Sequence, residues 1–434
     1  MICSVAHSPR PRARSAISAV NTSPQSRIAR RTALLLLALL SARPSDRLTA
    51  QDTLRLTLAD VLARVRSEHP LARAGTASVT AASAHAADLA RSPNPSIEIE
   101  RTTFSQADNV ALLQPIRWPW ESAALHALGR AEVAVAEAEA KRDSREVALD
   151  AAQRFADGLR DARAVALAIE AESLAQRGMQ RALAARQLGQ AGDLTVLQAQ
   201  VSFDAARRAR GSAEAERDAS AAALAVVLGW APGTVIVFGG DLGSVAPLAA
   251  PESALAGAAT ADAEALRLAS EADRATQAAR LARARRWPEL ALGPSASLEG
   301  RAVLGMSFGV GLPLWNRQGS GVRAAAAERE AALARLDARR RELDAAVVEA
   351  TSTLGRAGRE LDALRSGELA RAEQAESLAA RALQQGGPYL AAWLAARQAY
   401  LDARRVELNL EWQAARARLL LRHLTGTLLA EEPK

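Results

Sequence analysis

Cysteine, aromatic side chains and catalytic motifs are scarce in this chain. The single cysteine, Cys3, leaves no disulfide framework and no cysteine-built metal site. Aromatic residues make up 3% of the 434 positions, fewer than two or three ordinary globular cores of that total size would use. No P-loop, no dinucleotide-binding glycine motif in a βαβ unit and no Cys/His cluster occurs, and the histidines His69, His85, His126 and His423 lack metal-site spacing. These absences argue against an enzyme and imply neither a cofactor nor a bound metal.

Basic charge is concentrated rather than spread. The chain has a net charge of +7, which at first points to nucleic acid. Residues 1–50 hold Arg10, Arg12, Arg14, Arg27, Arg30, Arg31, Arg43 and Arg47 against Asp46, so 8 − 1 = +7 resides there and the remainder is neutral. Nucleic acid is therefore not an expected partner. Arg27, Arg30 and Arg31 precede the apolar run Ala33–Leu40 and then Ser41-Ala42, the order of a secretory signal, with cleavage expected after Ala42 or Ala50. That run is too short to span a bilayer as a helix. The segment before about residue 20 exceeds what such a signal needs, which points to a downstream translation start. Cys3 lies upstream of the apolar run, so no lipid anchor is expected.

What the chain has in abundance is Ala, Leu, Glu, Arg and Gln, the composition of long helices packed through small side chains. Thr57 with Asp60 reads as the N-cap of a helix bent near Pro70 and ending by Pro93. Ser96–Phe104 and Val110–Ile116 alternate as strands. A second pair follows: Glu289, Ala291, Gly293, Ser295 and Ser297 alternate with Leu290, Leu292, Pro294, Ala296 and Leu298. After a turn at Glu299-Gly300-Arg301, the small residues Val303, Gly305, Ser307, Gly309 and Gly311 oppose the apolar set Leu304, Met306, Phe308, Val310 and Leu312. Strands of about ten residues match a tilted membrane crossing. The lipid-facing set is expected to be Leu290, Leu292, Leu304, Met306, Phe308, Val310 and Leu312. Glu98, Glu100 and Glu289 fall on the opposite face as lumen candidates, their alternative being a solvated rim. Trp118, Trp120, Trp287 and Trp315 stand at strand-to-helix junctions, where interface aromatics are expected.

The hairpins belong to an internal repeat. Leu113-Gln114-Pro115-Ile116-Arg117-Trp118 lines up with Gly311-Leu312-Pro313-Leu314-Trp315-Asn316, and a proline-free helical run follows each, about 121–189 and about 321–385. At 1.5 Å per residue each run would extend about 100 Å. Each ends in a glycine break and returns as a shorter helix, and the return helices align Leu197 with Leu394, Phe203 with Tyr400, and Gly229 with Gly426. The expected organisation is a leader over 1–50, a first repeat over 51–229, a linker over 230–251 with one short strand, a second repeat over 252–428 opening with a helix from about 252 to 286, and a tail over 429–434.

These features resemble the outer-membrane efflux proteins of the TolC type, and Pro313-Leu314-Trp315-Asn316-Arg317-Gln318-Gly319 is similar to the strand-closing motif of the cobalt-zinc-cadmium (CzcC-like) branch. The resemblance implies a mainly α fold with a small β part. Three chains would give four strands each to one twelve-stranded barrel and their helices to a periplasmic tunnel. It implies a homotrimer in the outer membrane, an adaptor and inner-membrane pump as partners, and passive exit of heavy-metal cations or other small solutes. It assigns the periplasmic tip to Gly189, Gly192, Asp193, Leu194, Gly386, Gly387, Pro388 and Tyr389. Strand edges left open in lipid would require the same closure, and helix positions filled by Ala or Val need close neighbours. A type I protein-secretion conduit and a poreless periplasmic coiled-coil scaffold are the alternatives.

Overall fold

The computed structural model describes residues 54–102, 107–231, 233–242, 251–299, 301–312, 318–384 and 390–429. The expected leader, the turn residue Gly300, Trp315 with its motif through Arg317, and the turn residues Gly386, Gly387, Pro388 and Tyr389 lie outside the described residues. Element order repeats. The first half runs β1 (Leu54–Leu56), α1 (Leu58–Glu68), α2 (Pro70–Ala90), β2 (Ser96–Thr102), β3 (Ala107–Ile116), α3 (Pro119–Gln187) and α4 (Asp193–Val227). After β4 (Ile236–Phe238) come α5 (Pro251–Ala261), α6 (Ala263–Ala284), β5 (Glu289–Glu299), β6 (Arg301–Gly311), α7 (Gly319–Ala363), a π turn (Leu364–Leu369), α8 (Ala370–Gln384) and α9 (Leu390–Leu424). The fold is thus mainly α with a small β part, and helices, hairpin, long helix and return helix occur twice.

Thr57 caps α1 through a reciprocal box with Asp60, whose carboxylate accepts from the Thr57 amide at 2.9 Å. His69 is extended between α1 and α2, and Pro70 opens α2 where its missing N–H costs nothing. α3 is helical over 69 residues, about 100 Å, with its only proline at the start. It is the spine of the molecule: α1, α2, α4, α6 and α9 all pack on it. The largest core lies midway along α3, where Ala148, Ala151, Ala152 and Ala156 let Leu56, Val61, Val65, Leu224, Ile236 and Leu419 approach closely. There Phe155 meets Phe238 with ring centroids 5.8 Å apart. Gly158 sits under the Phe238 ring, and a Cβ at that position would come within 2.1 Å of it.

Three features depart from the sequence reading. The helix expected over 252–286 is two helices, because the buried Asp262 caps α6 by accepting from the Ala265 amide at 2.8 Å and also takes Arg339 of α7. The second long run is interrupted by the π turn. The linker strand has a parallel partner in β1, with Leu54 opposite Ile236 and Leu56 opposite Phe238.

Candidate functional site

Four strands form one sheet in the order β2-β3-β5-β6, each pair antiparallel. Their register sorts side chains onto two faces. Leu290 opposes Val310, Leu292 opposes Phe308 and Pro294 opposes Met306, so the apolar set of the second hairpin shares one face with Ile97, Ile99, Leu112 and Ile116 of the first. This face is uncovered: Leu304 is 84% exposed, Met306 68% and Phe308 66%. Leu292, Val310 and Leu312 are exposed as well, while Leu290 is half-buried. An uncovered apolar patch of this kind marks an interaction surface in a folded protein.

On the other face, Glu98, Ala111, Ser295 and Gly305 form one cross-strand row, and Glu100, Asn109, Ser297 and Val303 form the next. A cleft of about 490 Å³ lies over these rows. Glu289 shares the face opposite Gly311. The ion pair Arg101–Asp108, at 2.9 Å, crosses the first hairpin on the apolar face instead. Gly305-Met306-Ser307-Phe308-Gly309 spells the G-x-S-x-G pattern of hydrolase nucleophile elbows, yet it lies mid-strand with Ser307 opposite Gly293. An elbow needs a strand-to-helix turn. The spelling is coincidental.

Three of the four junction tryptophans come together. Trp118 and Trp120 stack at 4.7 Å, Trp287 leans on Trp120 at 5.2 Å, and the Trp118 indole N–H donates to the Pro288 carbonyl at 2.7 Å. The cluster joins the start of α3 to the start of β5, tying the two halves at the sheet's base.

At the far end of α3, Gly189 has φ +70°. Its N–H donates to the Arg186 carbonyl at 3.0 Å and that of Gln190 to Ala185 at 2.8 Å, a Schellman stop. Gly192 then begins α4 without a side-chain cap, and Asp193 pairs with Arg186 at 2.7 Å. Leu188 and Leu194 flank the turn at 72% and 69% exposure, an apolar tip on a charged helix pair.

Sequence reasoning missed the ionic groups between helices. Arg365 of the π turn reaches Glu407 at 2.7 Å and Glu411 at 2.5 Å on α9, and Arg163 of α3 reaches Glu411 at 3.0 Å and Asp241 at 2.5 Å. Burial holds Glu411 above the usual carboxylate range. Between α3, α6 and α7, Glu264 pairs with Arg267 at 2.7 Å and Arg142 at 2.9 Å, and the hydrogen bonding from Arg267 holds it below that range. Burial also lowers His423, whose Nδ1 has no hydrogen-bond partner. Among the described residues, no group of three His, Cys, Asp or Glu has metal-holding geometry, and no helix is long and apolar enough to cross a membrane.

Residues 256–427 match the outer membrane efflux protein family. This match runs from within α5 to just past the end of α9, including the second hairpin. No curated protein matches the chain. The fold is similar to that of the outer-membrane channel OprN, with TM-score 0.72 at 16% identity over 85% of this chain and 90% of that one. It is similar to the outer membrane protein VceC of Vibrio cholerae, with TM-score 0.69 at 16% identity over 85% and 96%. CusC, solved in connection with transmembrane channel formation, gives TM-score 0.70 at 14% identity over 88% and 95%. At these identities the likeness is one of fold.

Proposed function

We propose that the chain is the outer-membrane channel of a tripartite, RND-type efflux system, a passive conduit whose energy comes from an inner-membrane pump. The observation that carries this reading is the sheet with a largely apolar exposed face on a chain whose long helix extends about 100 Å. Strands β3, β5 and β6 of 10, 11 and 11 residues suit a tilted crossing of the hydrocarbon layer. With four alternating strands, β2 of one copy is antiparallel to β6 of the next, so copies can close the ring without a special edge. Three copies give twelve strands and a homotrimer. Open edges in lipid would leave backbone groups unsatisfied, which favours closure over a free monomer.

In this reading Leu290, Leu292, Leu304, Met306, Phe308, Val310 and Leu312 face outer-membrane lipid, and Glu98, Glu100 and Glu289 face the lumen. Trp118, Trp120 and Trp287 lie at the membrane interface, with Trp315 as a further member. Gly189, Gly192, Asp193 and Leu194, with Gly386, Gly387, Pro388 and Tyr389, form the periplasmic tip that meets the adaptor. The CzcC-like motif favours heavy-metal cations as cargo, with other small solutes as the wider class. A conduit of this kind passes its cargo without a resident metal site.

Arginine substitution on β6 tests the orientation. Met306→Arg should cost about 2–4 kcal/mol in the membrane and abolish assembled protein in the outer-membrane fraction. Ser307→Arg, one residue on and facing inward, should assemble normally. Equal assembly of the two would contradict the membrane orientation and favour the poreless scaffold.

A further inference from the structure

Charge is unbalanced at the base of the sheet. Between Asp273 and Glu289 the chain carries Arg274, Arg280, Arg283, Arg285 and Arg286 and no carboxylate. The last four arginines crowd the end of α6, and all four are exposed. Arg280 is held by a neutral partner, Gln277 at 3.1 Å, and Arg285 reaches Glu121 of α3 at 3.6 Å. Arg283 and Arg286 make no ion pair with any described residue. α7 runs back along α6, and Arg329 of α7 donates to Thr276 of α6 at 3.2 Å. That register sets Arg323, exposed and also without an ion pair among the described residues, beside the same turn.

A helix C-terminus accounts for one or two basic residues, which complement its dipole. Five guanidinium groups, paired only with Glu121 among the described residues, repel one another and attract anions from outside the chain. The excess is also confined to one place. At the equivalent junction of the first repeat, α2 to β2, Arg91 is paired with Asp88 at 2.8 Å, and at the opposite end of the sheet Arg101 is paired with Asp108. Uncompensated positive charge gathers where Trp118, Trp120 and Trp287 stack, and Trp287 is 57% exposed. Arg286 is four residues from Leu290, which opens the apolar face of β5, so the two are at most about 14 Å apart. An arginine side chain covers such a distance from the hydrocarbon edge into the headgroup layer.

We propose that these arginines form a docking surface for the phosphate groups of anionic phospholipids, in the leaflet on the helical side of the sheet. The proposal rests on the membrane reading of the sheet and adds to it a preference for lipid charge. The guanidinium fork takes two phosphate oxygens at once, and the neighbouring indoles sit at headgroup level. Each basic residue near an anionic surface strengthens binding by about fivefold.

The test is tryptophan quenching of the full-length protein reconstituted with acyl-brominated phosphatidylglycerol or acyl-brominated phosphatidylcholine, since the tryptophans of the base report the lipids beside them. The unsubstituted protein should prefer phosphatidylglycerol by at least about fivefold at low salt and lose most of that preference at about 0.5 M salt. Arg283→Gln combined with Arg286→Gln should bring the preference below about twofold, with oligomeric mass and conductance unchanged. Arg283→Lys with Arg286→Lys should keep most of it, and Arg101→Gln, at the far end of the sheet, should leave it intact. If the double Gln variant does not assemble, each single Gln variant should show a partial loss. Quenching by both lipids without preference would overturn the docking surface and leave the membrane reading standing, whereas quenching by neither would overturn both. A preference that survives the double Gln substitution would place the arginines away from lipid and also overturn the proposal.

Discussion

The two repeats agree where their return helices end and disagree in their interiors. Gly229 and Gly426, equivalent in the repeat, both have φ +72° and both end a return helix through the same pair of backbone bonds. Gly158 and Gly355 are also equivalent by that offset, yet Gly158 is pressed under Phe238 whereas a Cβ on Gly355 would touch only the end of Arg359, at 3.5 Å. The first long helix is the spine on which both halves pack. The second is a flank, more exposed, with a π turn and an ionic network to its return helix. Duplication has kept the geometry that ends the return helices and let the side-chain contacts diverge, because the two long helices occupy different surroundings in the same fold.

Substitutions at equivalent positions sharpen this contrast. Gly158→Ala should destabilise the protein by about 1–3 kcal/mol, since the methyl overpacks a filled core. Gly355→Ala should raise stability by up to about 1 kcal/mol through helix propensity. Denaturant midpoints in detergent read both, and equal shifts would break the contrast. Arg365→Ala should cost about 1–2 kcal/mol because the buried Glu407 then keeps only Arg404, whereas Arg210→Ala, whose partner Glu172 is less buried than Glu407, should cost under about 1 kcal/mol.

Smaller differences are expected at the caps. Gly229→Ala bears only the left-handed backbone cost of about 1 kcal/mol, with open space around its Cβ, while Gly426→Ala also meets Ala261 at 3.0 Å and should cost more. Thermal melts of the two variants decide this.

The smallest effect is in pH. Glu264 is held low by Arg267, so its contribution is present above the ordinary carboxylate pKa and is lost as pH falls through its folded value. Glu411 is raised by burial, so its contribution is present at low pH and is lost as pH rises through its folded value. Stability measured between about pH 3 and 6 should lose its rising component in Glu264→Gln and its falling component in Glu411→Gln, each under about 1 kcal/mol.

Much of the fold was legible because periodicity survives in a duplicated helical chain. Period-two alternation set the two faces of β5 and β6, and the paired glycine breaks located the return helices. The parallel partner of β4 was not legible, because Leu54–Leu56 lies some 180 positions away and is too short for a pattern. The break at Asp262 and the π turn were hidden by strong helix formers on both sides, since tertiary contacts to Arg339 and from Arg365 decide them. That ionic network could not be read either, because Arg365, Glu407 and Arg163 are ordinary surface types in an Arg- and Glu-rich sequence. Trp118, Trp120 and Trp287 stood out by position, but only the fold brought them into one cluster.

The most direct test of the central claim is single-channel conductance of the detergent-purified protein in a planar bilayer, with oligomeric mass measured on the same sample. The account predicts a trimer giving discrete conductance steps, which Met306→Arg should abolish through failed assembly. A detergent-independent soluble species without conductance would contradict it.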